Sequence, residues 1–68
     1  MEYHAHITRS GGWWIGWLVD LPGVNAQEHT EEELLESLKS GAQDMLDLKG
    51  VEEPEVEIRV LPKTMTAG

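Results

Sequence analysis

Residues 2–9 alternate in polarity. Tyr3, Ala5 and Ile7 fall on one side of an extended chain, and Glu2, His4, His6 and Thr8 on the other. A side-chain period of two is that of a half-buried strand. Ser10-Gly11-Gly12 follows as a tight-turn signal, because glycine adopts positive φ without steric cost. Residues 13–20 are rich in aromatic and β-branched side chains and read as a second strand, antiparallel to the first. Leu21-Pro22-Gly23 ends it, since proline fixes φ and lacks a donor and the next glycine suits a turn. Residues 24–27 are long enough only for a short third strand.

At Thr30 the period changes. Thr30-Glu31-Glu32-Glu33 is a capping box that opens a helix, and three acids in its first turn sit at the positive end of the helix dipole. Steps of about 100° per residue place Leu34, Leu35, Leu38, Ala42, Met45, Leu46 and Leu48 on one face. Glu32, Glu36, Lys39, Gln43, Asp44 and Asp47 fall opposite. Lys49 and Gly50 form the stop. Gly41 interrupts the helix at a cost of about 1 kcal/mol relative to alanine. It lies near the apolar edge, so a close approach to a sheet or a tolerated imperfection accounts for it.

Residues 55–61 alternate again, with Val56, Ile58 and Val60 against Glu55, Glu57 and Arg59, and read as a fourth strand. Residues 62–68 carry no pattern and are expected to be a frayed tail beyond a single domain over 1–61. The expected fold is α+β, in the order β-β-β-α-β. One amphipathic helix covers one face of one sheet. A helix between the third and fourth strands allows a crossover, so the fourth can run parallel to the first. The sheet order that follows is 3-2-1-4.

The second strand breaks the alternation. Trp13, Ile15, Trp17 and Val19 share one face, while Trp14 and Leu18 flank Gly16 on the other. Both faces are apolar, and one helix covers only one of them. Large aromatics on an uncovered face make a patch of the kind that marks a protein interface. Loops or the tail folding over that face is the alternative. A homo-oligomer, a dimer first, is the simplest interface because it also enlarges a thin core.

Composition narrows the function classes. A chain of 68 residues makes one small domain that buries only about 60% of its unfolded surface. It has no cysteine, which excludes disulfides and thiolate metal sites. The apolar run from Trp13 to Val19 is far short of the roughly 20 residues that span a bilayer. No basic start followed by an apolar run suggests a secretory signal, so the expectation is a cytoplasmic protein without membrane attachment. Thirteen acidic against five basic residues leave a net charge of −8. That disfavours direct nucleic-acid binding and anionic membranes, and attracts a basic protein partner.

Candidate chemistry is sparse. His4 and His6 form an H-x-H pair on one strand face, able to share a zinc ion with His29 or a carboxylate as third ligand. Two exposed imidazoles on a strand are the simpler reading. Ser10 and Thr30 have no nearby Ser/His/Asp arrangement. The carboxylates sit mostly at the helix start and on its solvated face, where capping and solubility explain them. Asp20, before Leu-Pro-Gly, is expected to order the turn. The glycines form no phosphate-cradling loop. No enzyme activity and no cofactor are expected.

Asp20-Leu21-Pro22-Gly23, a short strand ending at Gln27, and Thr30-x-Glu32-Glu33-x-Leu35-Glu36 resemble the pattern D-L-P-G-x-x-T-x-G-D-T-x-E-E-A-x-E of the HicB-like antitoxin family. The preceding Gly-Gly-aromatic strand and the order of elements fit as well, so the resemblance spans residues 1–61. It implies a partial RNase H-like fold and neutralisation of a HicA-like toxin, a small basic protein that cleaves messenger RNA. The chain reads Gln27-Glu28-His29-Thr30 where the family has a glycine before Asp-Thr, and Val24 where a cysteine is frequent. Nothing after Leu61 is long enough for the DNA-binding domain of full-length members, so autorepression is not implied. The expected partner surfaces are the aromatic strand, through Trp13, Trp14 and Trp17, and the acidic helix, through Glu32, Glu36 and Asp44.

Overall fold

The computed structural model describes residues 1–62; the expected frayed tail, apart from Pro62, lies outside the described residues. Five elements follow one another: β1 (Glu2–Ser10), β2 (Trp13–Leu18), β3 (Asn25–Glu28), α1 (Glu31–Leu48) and β4 (Glu57–Val60). The sheet order is β3-β2-β1-β4, with β4 parallel to β1 and the other neighbours antiparallel. This is the α+β arrangement the sequence predicts.

The hairpin sets the register. Ser10 pairs with Trp13, so Gly11 and Gly12 form the two-residue loop. Gly11 has φ +62° and Gly12 does not share the positive sign, the φ pattern of a type II′ turn whose twist matches that of the strands. Counting back from that turn places Trp17 opposite His6 and Leu18 opposite Ala5.

The second and fourth strands are shorter than expected. β2 ends at Leu18: the Val19 N–H still bonds the His4 carbonyl in register at 2.9 Å, but the His4 N–H is taken by the Asp20 side chain. β3 covers Asn25–Glu28 rather than 24–27, and Val24 is buried beneath it. β4 begins at Glu57; Val56 is buried but precedes the ladder.

The helix starts as its capping box predicts. Thr30 Oγ1 accepts the N–H of Glu33 at 3.1 Å and donates to the Glu33 carboxylate at 3.0 Å. The helix ends in a Schellman motif: Gly50 at φ +89° donates to Asp47, and Val51 donates to Leu46, both at 3.0 Å. Leu34, Leu38, Ala42 and Leu46 are the buried stripe. Leu35 and Met45 are half-buried. Leu48 departs from the expected apolar face and is 86% exposed. It lies in the last turn, well around the cylinder from Ala42, where the chain already leaves the sheet.

Among the described residues, nine buried apolar side chains form the core: Ala5, Leu18, Leu21, Val24, Leu34, Leu38, Ala42, Leu46 and Val56. Two glycines let the helix approach closely. A Cβ at Gly16 would meet the His6 carbonyl and Leu34 at 3.2 Å and Leu38 at 3.3 Å. One at Gly41 would meet Val24 at 3.1 Å, so the mid-helix glycine is a close approach to the segment leading into β3. Among the described residues, no helix is long and apolar enough to cross a membrane.

Candidate partner-binding face

With α1 packed on the Ala5, Gly16 and Leu18 side, the pleat aims the alternate residues of β2 at the other face. Trp13, Trp17 and Val19 are 39%, 41% and 49% exposed, and Ile15 between them is half-buried. At about 3.3 Å per residue, these four positions form an apolar strip about 20 Å long. No described loop closes over it.

Two of the three histidines weighed as zinc ligands, His6 and His29, belong to this strip. His6, opposite Trp17, lies against its indole with centroids 4.5 Å apart and planes tilted by 32°. His29, just past β3, stacks on Trp13 at 4.1 Å with planes 25° apart. His4 sits elsewhere, in a polar corner. The three imidazoles therefore do not converge, and the described residues hold no group of three or more His, Asp, Glu or Cys placed to bind a metal. The alternative in which His4 and His6 share a zinc ion with His29 finds no common point here, because each ring has a different neighbour: Asp20, Trp17 and Trp13.

The polar corner is organised around His4. Its backbone N–H donates to Asp20 Oδ1 at 2.9 Å, and its Nδ1 lies 2.9 Å from Asp20 Oδ2. An ionised carboxylate only accepts, so the Nδ1 proton points at Asp20. Nε2 faces Glu2 at 3.5 Å, and the other Glu2 oxygen pairs with Arg59 Nε. The hydrogen bonds from His4, the side-chain one foremost, hold the Asp20 carboxyl below its ordinary value. Asp20 thus orders its turn by tying it to β1.

The residues of the two expected partner surfaces lie on both sides of the sheet. Trp13 and Trp17 share the open face. Trp14 lies on the helix side, half-buried against the core, with the Arg9 guanidinium 4.8 Å from its ring centroid. Glu32, Glu36 and Asp44 are exposed on α1, across the sheet from the aromatic strip. One flat partner cannot touch both sets. The roles of His6 and His29 in the strip were readable in principle, since a two-residue turn after Ser10 already implies the pairing of His6 with Trp17. Compared with protein-family models, curated proteins and solved structures, the chain matches none.

Proposed function

We propose that this chain is a non-enzymatic, cytoplasmic binding module of the HicB-like antitoxin type, which neutralises a small basic mRNA-cleaving toxin through the open face of its sheet. The observation that carries the reading is the uncovered strip of Trp13, Ile15, Trp17 and Val19, braced by His6 and His29. Tryptophans with an apolar ring and one donor dominate the energetics of protein interfaces. The net charge of −8 draws a basic partner from a distance. The helix acids Glu32, Glu36 and Asp44 contribute through that field, while the aromatic strip supplies contact. Trp14, turned to the core, supports the fold instead.

The test is titration calorimetry with a HicA-like small basic protein from the same genome, together with an RNA-cleavage assay of that protein. Tight binding that suppresses cleavage, slows at high salt and is lost in Trp13→Ala/Trp17→Ala supports the reading. No binding, or binding unchanged by that double substitution, refutes it.

A further inference from the structure

Among the described residues, the outer edge of β4 has no neighbour in the sheet. Glu57 and Leu61 donate their N–H groups to Met1 and Ala5 on the β1 side, at 2.8 and 2.9 Å. Backbone direction alternates along a strand, so the N–H and C=O groups of Ile58 and Val60, and of Val56 just before the strand, point away from β1. Beside this edge α1 and β4 enclose an open groove of about 460 Å³, lined among others by Leu35, Glu36, Lys39, Ile58 and Arg59.

We propose that the partner of this edge is a second copy of the chain. Two β4 strands pair antiparallel about a two-fold axis through Ile58, and the two sheets become one of eight strands. The register follows from charge. In a hydrogen-bonded antiparallel pairing, outward-facing residues stand opposite each other. A two-fold pairing can then centre on residue 57, 58 or 59. Centring on 57 sets Glu57 against Glu57, and centring on 59 sets Arg59 against Arg59. Only the Ile58 centre sets Glu57 of each copy against Arg59 of the other, twice. Like charges directly opposite are destabilising and opposite charges stabilising, which selects this register.

Four further features fit the same pairing. Ile58 meets Ile58 on the helix side, and Val60, 43% exposed in one copy, meets the Val56 position of the other. Pro54 faces Pro62, and since neither has an N–H to donate, the ladder stops there. The groove is locally balanced, Glu36 and Glu57 against Lys39 and Arg59, in a chain whose net charge of −8 opposes self-association elsewhere. Arg59 uses Nε for Glu2 and keeps its terminal nitrogens for the second copy. This dimer does not depend on the toxin reading and leaves both aromatic strips open on the same side of the joined sheet.

Sedimentation velocity of the full chain over a concentration series tests the proposal, with circular dichroism to confirm folding. A monomer–dimer equilibrium is expected. Glu57→Lys and Arg59→Glu alone each weaken it by about tenfold. The double swap restores it, and Trp17→Ala leaves it unchanged. Amide hydrogen exchange on the wild-type chain adds a readout free of variants: protection at Ile58 and Val60 rises with protein concentration. A wild-type monomer throughout, a dimer lost in Trp17→Ala but untouched by the charge variants, a double swap that does not recover, or exchange at Ile58 and Val60 that ignores concentration each overturns it.

Discussion

Both carboxylate oxygens of Asp20 are committed to His4, one to its backbone N–H and one to its imidazole, each at 2.9 Å. The contact spans 16 positions of chain and fastens the Leu21-Pro22-Gly23 turn to β1. It also gives the acid response of the fold a local origin.

Asp20→Ala removes both bonds and is expected to cost about 1 kcal/mol at neutral pH, a modest figure because the pair is partly solvated. Asp20→Asn keeps an acceptor for the backbone N–H and costs less. Because the Asp20 carboxyl is held below its ordinary value of 3.8, its stabilisation is complete above that value and is lost as pH falls toward the lowered one. Urea unfolding of wild type and Asp20→Asn across this acid range should give stability curves that converge as pH falls. A constant gap between them would show that His4 does not perturb Asp20.

Gly16→Ala is expected to destabilise, against the usual gain when a strand glycine acquires a side chain. The new methyl would lie 3.2 Å from the His6 carbonyl, which is backbone and cannot rotate away, and from Leu34. An overpacking cost of about 1–3 kcal/mol follows. Denaturant unfolding should show a lower midpoint with an unchanged slope. A neutral or higher midpoint would mean that α1 lifts off the sheet without penalty.

Leu38 and Leu48 have the same side chain and belong to the same helix, but their truncations should differ widely. Leu38 is fully buried, and Leu38→Ala should cost about 2–5 kcal/mol. Leu48 is 86% exposed, and Leu48→Ala should stay within about 0.5 kcal/mol. Thermal or urea unfolding of the two variants side by side measures the contrast. Comparable losses would contradict the burial pattern of α1.

Most of the fold was legible because its signals are local. Alternation at residues 2–9, the glycine pair at Gly11-Gly12, the Thr30 capping box and the Gly50 stop each act over a few bonds, and each stands where the pattern put it. The strand ends were less legible. Whether β2 runs on to Asp20 depends on Asp20 finding His4 across the sheet, which no local pattern encodes.

The candidate site divides the same way. The two-faced character of β2 is written in its residue order, because side chains of a strand alternate whatever surrounds them. Which face stays open is a matter of where α1 lands. The approach over Gly16 decided that, turning Trp14 inward and leaving Trp13 and Trp17 exposed. The two expected partner surfaces stand apart for the same reason: a helix on one side of a sheet cannot share a plane with Trp13 and Trp17 on the other. The histidines follow suit. Their spacing allowed a metal site, and cross-strand pairing gave His4 to Asp20, His6 to Trp17 and His29 to Trp13. Sequence alone thus determined the elements, their order and the polarity of each strand, through interactions a few residues long. Tertiary structure decided which apolar face is covered and which rings meet, because those outcomes depend on contacts between segments far apart in the chain.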